Sequence, residues 1–555
     1  MPRRAWLSLV TLATGVALLV VAQLAGAAPE LKGGVFVVGT TVASVQIDPQ
    51  LAYITTAWWL EYATAAKLYN YPDKKGPAGA LLHPEVASGF KVTNGGKRYT
   101  FFIRKGFRFS DGTPVTARNF AYAIDRVAND LASPGAQWIT DPTGTNIVGA
   151  TGVNAGVGTH VRGVRVKGSR LIINLTKPDG SFLSKITMPF FQATSTKLPL
   201  DRAIVSVHSL EDLPSAGPYA LVRNDPDVLT SLRRNPYWRS GPGRQRPRNL
   251  TGLDLRWNLN EETAYNQTLA GELDEGPLPA AHVHEVAGRF GVNRTRFWSK
   301  PMNCTGYLPM NMSRPLFKGN PKLRRAISYA VNRRAYVAQA GPYAGQPWTR
   351  LFNPGVPGWS NVNPYPLDPD LPKARALATG HFRHGKITVS YRASGTTNPA
   401  QAEIVRQDLI NLGFERATIT MLPYSSGGIY WDDPLENADL GVSMGWCSYY
   451  PDPYDWINTL LSGKTVDDKY KYTVNYSRMD LPKWNAKMDA AAKLVGPKRF
   501  KVYGQLDLDI MRQVAPMAVE RTYNNRYLFS DRADPTSLVY QGIYQDWSIP
   551  ALALK

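Results

Sequence analysis

Short apolar β-type runs alternating with polar turn signals first organise the chain after residue 33, where Val35-Phe36-Val37-Val38 follows the turn pair Gly33-Gly34 and reads as a strand. Asn94-Gly95-Gly96 likewise precedes Tyr99-Thr100-Phe101-Phe102-Ile103, whose aromatic and β-branched residues predict another strand. Asp111-Gly112-Thr113-Pro114 then makes a turn, and Thr116 is placed to cap a helix carrying Phe120, Ile124 and Val127 at helical spacing. Asn320-Pro321 starts a second helix with Leu323, Ile327 and Val331 inward. Asn398-Pro399 starts a third with Val405, Leu409 and Leu412 inward, stopped at Gly413. A fourth runs from Pro497 and buries Phe500, Tyr503, Leu506 and Ile510 before Pro516. Between them, Ile387 to Tyr391, Ala417 to Leu422 and Leu440 to Trp446 read as short apolar strands.

Strands and helices mix along the whole chain without a repeating period, so the pattern predicts a mixed α/β protein. The 47 Gly and 42 Pro gather at 144–158, 240–248 and 353–372, which predicts surface loops there. None of these stretches has the length or bias of a disordered linker, so the expected organisation is lobes that the chain crosses more than once.

Composition narrows the class. A chain of 555 residues, 43% hydrophobic and 11% aromatic, has material for two or three compact units and is not a disordered tail. Fourteen Trp and 28 Tyr suit either an aromatic core or an aromatic-lined binding surface. The net charge of +21 favours anionic surroundings such as wall polymers, lipid headgroups or acidic solutes. The cations are dispersed, and clusters such as Arg244-Gln245-Arg246-Pro247-Arg248 or Arg324-Arg325 come without a groove-reading motif, so nucleic acid is not an expected partner.

At the N-terminus Arg3-Arg4 precedes an uncharged, mostly apolar run from Ala5 to Leu24 and then Ala25-Gly26-Ala27-Ala28, the layout of an export signal over residues 1–28. Because the run approaches spanning length, an uncleaved anchor is the alternative. No later stretch is long and apolar enough to span a bilayer. Neither cysteine lies near the signal exit, so no lipid-attachment cysteine is expected. In an exported chain, Cys304 and Cys447 are most simply read as one disulfide.

Catalytic motifs find no footing. Ser462-Gly463-Lys464-Thr465 ends like a phosphate-binding loop, but the position that should open it with Gly is Asn458. No nucleophile elbow, zinc-protease helix or dinucleotide turn is present, so no enzyme, catalytic residue or cofactor is expected. His282-Val283-His284 and His381-Phe382-Arg383-His384 sit beside polar or basic residues and read as surface histidines, not as a metal site. The adjacent carboxylates Glu261-Glu262 and Asp432-Asp433 face apart on any regular element and suit acid–base work poorly.

One ordered series of motifs is more specific. Leu82-His83-Pro84-Glu85-Val86-Ala87, then Tyr99 to Gly106, then Phe109-Ser110-Asp111-Gly112-Thr113-Pro114-Val115-Thr116-Ala117 closely resembles the family-5 solute-binding proteins of peptide importers. The resemblance continues through Ile47-Asp48-Pro49, Gly217-Pro218-Tyr219, Arg234-Asn235-Pro236-Tyr237-Trp238, Met310-Asn311, Leu323 to Ile327, Gly445-Trp446-Cys447 and Tyr450-Pro451-Asp452-Pro453. It implies an α/β clamshell of the class II (cluster C) periplasmic-binding type with an additional domain, mixed sheets and a two-strand hinge. The implied map has domain I at 29–75, 200–303 and 523–555, domain II at 76–199 and domain III at 304–522.

The resemblance further implies a monomeric extracytoplasmic receptor of an ABC importer, which captures oligopeptides or blocked peptides in an interlobe cleft and hands them to permease subunits. A secreted or wall-associated sensing protein for another solute, such as an oligosaccharide, is the competing expectation. The implied ligand residues are Tyr53, Trp446, Cys447, Ser448, Tyr449, Tyr450, Asp452 and Tyr523. One departs from the family pattern: peptide receptors place an aspartate for the ligand's ammonium group where this chain has Tyr449. A phenol cannot supply a charge-assisted bond, so free-amine peptides should lose affinity unless Asp452 swings in. Trp446 and Tyr449 would instead form an aromatic floor. Cys304 and Cys447 would lie on two neighbouring domain III strands.

Overall fold

The structure, a computed structural model, describes residues 33–130, 133–140, 143–201, 213–239, 241–394, 397–424, 434–466 and 473–555. The export-signal segment and Asp432-Asp433 lie outside the described residues. Within them no helix is long and apolar enough to cross a membrane.

Most of the predicted elements form where the pattern places them. The first strand is Val35–Gly39 and the signature strand is Arg98–Ile103. The helix after the turn is Ala117–Asn129, with Phe120, Ile124 and Val127 buried. Its N-terminus is closed by Asn119, whose Oδ1 accepts the Thr116 N–H at 2.8 Å, the reciprocal half of a capping box. The three later helices run Pro321–Ala330, Thr397–Leu412 and Gly496–Gln513.

The exceptions have physical causes. In the last helix Phe500 is only half-buried, and Arg499 takes the inward place with its own carboxylate partner. The loop 144–158 contains a short helix, Ala150–Asn154, and the loop 353–372 runs into the helix Leu371–Ala378. The apolar run 417–422 opens with a 3-10 turn, Arg416–Thr418, so its strand is Ile419–Tyr424. The run Leu440 to Trp446 is two strands: Ser443, at φ 59°, breaks it into Leu440–Val442 and Met444–Cys447. The two halves join different sheets.

A nine-stranded mixed sheet spans the molecule. Its order is Met444–Cys447, Phe297–Pro309, Met517–Phe529, Glu275–Gly276, Val35–Gly39, Gly252–Arg256, Leu229–Arg234 and Tyr219–Asp225, with Gly345–Pro347 beside Met517–Phe529. Val35–Gly39 runs parallel to both its neighbours, and the remaining pairings are antiparallel. A separate four-stranded antiparallel sheet orders Ala87–Thr93, Arg98–Ile103, Arg170–Asn174 and Val164–Lys167. Ile387–Arg392 is the centre of a three-stranded parallel sheet.

Three large apolar cores follow from this layout. One gathers Phe36, Trp59, Leu253, Tyr527 and Trp547; a second gathers Tyr99, Phe101, Phe120, Leu171 and Phe190; the third gathers Tyr307, Leu323, Ile327, Val389 and Tyr503. The chain enters the third core along Phe297–Pro309 and leaves it along Met517–Phe529, and these 13-residue strands pair side by side. They are the two-strand connection of a clamshell, with mixed sheets and an additional lobe as expected. Their register slips between Pro301 and Thr305 and again beside Gly306, the irregularities that let long strands bend.

Candidate ligand-binding site

Met444–Cys447 ends the nine-stranded sheet: it pairs with Phe297–Pro309 on one side and, among the described residues, with no strand on the other. An edge strand carries backbone donors and acceptors ready for another extended chain. Gly445 stands opposite Gly306 and is solvent-exposed. A Cβ on Gly306 would sit 2.2 Å from Glu520 Oε1, and one on Gly445 3.1 Å from the Tyr523 hydroxyl, so this stretch needs residues without side chains. Cys304 and Cys447 are directly opposed on the two strands and form the disulfide.

Beyond Cys447 the chain leaves the sheet and crosses to the other lobes. Ser448 N–H donates to the Asn303 carbonyl at 2.9 Å, and its hydroxyl donates to the Tyr450 carbonyl at 2.6 Å, fixing the turn. The Tyr449 ring then lies 5.0 Å from Trp446, 5.2 Å from Tyr53, 5.3 Å from Trp138 and 5.5 Å from Trp58. Tyr53 is held in turn by Gln137, whose amide donates to its hydroxyl at 3.0 Å. Tyr450 is fully buried, and its neighbours belong to the core of Tyr99 and Phe190 although its own segment grows from the third core. The expected pairing of Trp446 with Tyr449 is therefore one side of a larger aromatic contact that joins the lobes.

The acids in this loop are committed. Asp452 is buried, accepts from Arg499 through one oxygen and from Tyr454 N–H at 2.9 Å through the other. Asp455 accepts the Tyr449 N–H at 2.8 Å, and burial pushes its carboxyl up to about 8 against that bond. A second contact between lobes lies alongside: Lys185, paired with Asp179 at 2.8 Å, sits 4.1 Å over the Tyr454 ring, and Gly180 N–H donates to Ala492 O at 3.3 Å.

On the hinge strand, Glu520 is the extra residue where the register slips between Arg521 and Val519. Its carboxylate is fully buried with neither oxygen hydrogen-bonded, and burial raises it to about 7. Arg521 lies over the rings of Tyr336 and Tyr523 at 5.4 and 4.4 Å and reaches the Tyr523 hydroxyl at 3.4 Å. Sequence reasoning named Tyr53 and Tyr523 but missed Trp58, Trp138, Asp455, Glu520 and Arg521. The doublet Trp58-Trp59 in the helix Thr55–Thr64 was the one available signal.

The family model for bacterial extracellular solute-binding proteins, family 5, matches residues 82–468. The chain belongs to that family. Its curated relatives include a probable deoxycholate-binding periplasmic protein of Escherichia coli, 23% identical, with 79% of each chain covered. The heme-binding protein A of Haemophilus influenzae is 23% identical over 86% of this chain and 85% of that one. The oligopeptide-binding protein of Bacillus subtilis is 25% identical over 67% and 68%. Among solved structures, the clavulanic acid biosynthesis oligopeptide binding protein 2 superposes with TM-score 0.82 at 22% identity, covering 95% of this chain and 96% of that one. An ABC transporter-associated periplasmic binding protein of Helicobacter pylori in complex with the peptide STSA superposes with TM-score 0.72 at 18% identity, covering 95% and 99%. Both share the clamshell fold.

The histidine pairs of this family 5 protein, His282 with His284 and His381 with His384, belong to other segments than the cleft loop. His282 stacks on Tyr265 at 4.3 Å and bonds Glu262 at 3.0 Å, which raises its pKa. His284 and His384 are exposed. Among the described residues no three His, Cys, Asp or Glu side chains converge as metal ligands.

Proposed function

We propose that this family 5 protein is the extracytoplasmic receptor of an ATP-driven importer, and that it captures a peptide-like ligand between its lobes and presents it to the membrane permease. The observation that carries this reading is the open edge of Met444–Cys447, running directly into the aromatic loop that bridges the lobes. An extended ligand adds to such an edge through main-chain hydrogen bonds, which hold any sequence. Relatives named for deoxycholate and heme make the aromatic surroundings of Tyr449 a fitting place for an apolar end group.

In this reading the domains divide as 29–75, 200–303 and 523–555; 76–199; and 304–522. The third core, which lies within 304–522, and the paired crossing strands support that map, while the second core also takes in Tyr53, Trp58 and Trp238 from the first unit. Trp446, Cys447, Ser448, Tyr449 and Tyr523 line the ligand track, with Tyr53 and Tyr450 backing it. Asp452 is a strut for Arg499 and not a stand-in for the missing ammonium partner, because both its oxygens are engaged. The ligand's amino end is then neutral or solvated. Titration calorimetry with matched short peptides tests this: N-acetylation should change affinity less than about threefold, since no charge-assisted bond is lost. Loss of binding on acetylation would overturn it.

A further inference from the structure

The accessory sheet has a solvent face that the ligand reading does not use. Its inner residues, Tyr99, Phe101, Leu171 and Ile173, are buried in the second core. Register places Lys91, Thr100, Ile172 and Arg165 in one row across the opposite face, Phe102, Arg170 and Lys167 in the next, and Arg98 beside Asn174 in a third. Lys91, Arg98, Arg165, Lys167 and Arg170 are all exposed, and no acid shares the face. The whole segment 76–199 holds fifteen Lys and Arg against six Asp and Glu. Of those acids Glu85, Asp125, Asp130 and Asp179 are buried, and Asp111 is paired with Lys197. Arg126 and Lys185 are buried against Asp48 and Asp179, and the cations of the sheet face are left outside without acids beside them.

This arrangement opposes stability. Lys167 and Arg170 are direct cross-strand partners, and like charges in that position repel. Basic residues on the edge strand Val164–Lys167 would guard it against pairing with another sheet. That role does not reach Arg98 and Arg170, which stand on the two central strands. Arg98 is oriented by its bond to Asn174 Oδ1 at 2.8 Å, and Arg170 lies 5.9 Å over the ring of Phe102, itself 37% exposed.

We propose that this face docks on an anionic lipid surface. A shallow antiparallel sheet with cations spread across its strands and one aromatic among them matches a plane of phosphate headgroups, and it offers no groove for a nucleic-acid strand. The family is extracellular, and a receptor that serves a permease works beside a membrane. Surface attraction holds the lobes near the bilayer and leaves the hinge free.

The test is co-sedimentation of the full chain with vesicles of phosphatidylglycerol in phosphatidylcholine, against phosphatidylcholine alone. The comparison is with Arg98→Glu, Arg165→Glu, Lys167→Glu and Arg170→Glu combined, and with the same four changed to Gln. Because the N-terminal apolar run is common to all three chains, the difference between them reports the sheet face. The wild type should bind the anionic vesicles at low salt and release as salt rises. At roughly fivefold per cation, the Gln variant should bind at least about a hundredfold more weakly, with an unchanged melting temperature or a higher one as repulsion is relieved. Equal binding to neutral vesicles, unchanged binding by both variants, or capture by a soluble polyanion but not by vesicles would overturn the proposal.

Discussion

The motif resemblance implies that Tyr449 takes the place of an acid in peptide receptors, and its surroundings suit a neutral residue. Four aromatic rings lie within 5.5 Å of it, Asp452 is engaged through both oxygens, and Asp455 accepts the Tyr449 N–H. Tyr449→Asp should raise the preference for free-amine over acetylated peptides by about tenfold, the worth of one charge-assisted bond, read by calorimetry. Asp455 gives a prediction on stability. Its carboxyl rises from 3.8 to about 8 on folding, so between those values the folded state holds a proton that the unfolded chain has released, and stability falls with rising pH. Asp455→Asn should remove that part of the slope, stabilising the protein at pH 8 by on the order of 2–4 kcal/mol and much less near pH 4. Thermal melting across that range checks it; parallel curves for the two proteins would contradict it. The sequence showed the missing acid because a motif flanks it. It could not show Trp58 or Trp138 around it, since contacts between lobes leave no local period.

At the scale of elements, local signals read well where one periodicity held. The capped helix Ala117–Asn129 and the helix Pro321–Ala330 each bury the residues their spacing selects. The reading failed at Leu440 to Trp446, where a continuous apolar run changes sheets at Ser443. Hydrophobicity cannot reveal that break, because apolar residues lie on both sides of Ser443. It is nonetheless the functional step, since it carries Met444–Cys447 to the free edge. The disulfide then ties that edge to the hinge strand across a separation of 143 residues. Replacing both cysteines with alanine should cost on the order of 3–5 kcal/mol by the chain-entropy argument, measured by denaturant unfolding. A loss below about 1 kcal/mol would show that pairing with Phe297–Pro309 suffices. Intact mass under non-reducing conditions should find the wild type two hydrogens lighter than its reduced form.

The whole molecule is a clamshell whose lobes touch through Tyr449, Tyr450 and the Lys185–Tyr454 contact. Ligand that meets both lobes only in this arrangement shifts the population toward it. Removing protein-made contacts should do the reverse, so Tyr449→Ala should enlarge the radius of gyration of the unliganded protein by small-angle scattering, with ligand restoring compactness. The lobed organisation was legible from an ordered series of motifs and the absence of a linker; the state of closure was not, because it depends on pairings between distant segments. The central claim is that ligand adds to the edge strand Met444–Cys447. Amide hydrogen exchange, with and without a saturating short peptide, tests it most directly. Exchange at Gly445 and Cys447, whose amides alternate with the inward-bonded Ser448, should slow markedly when peptide binds; a peptide that binds and leaves exchange there unchanged would contradict it.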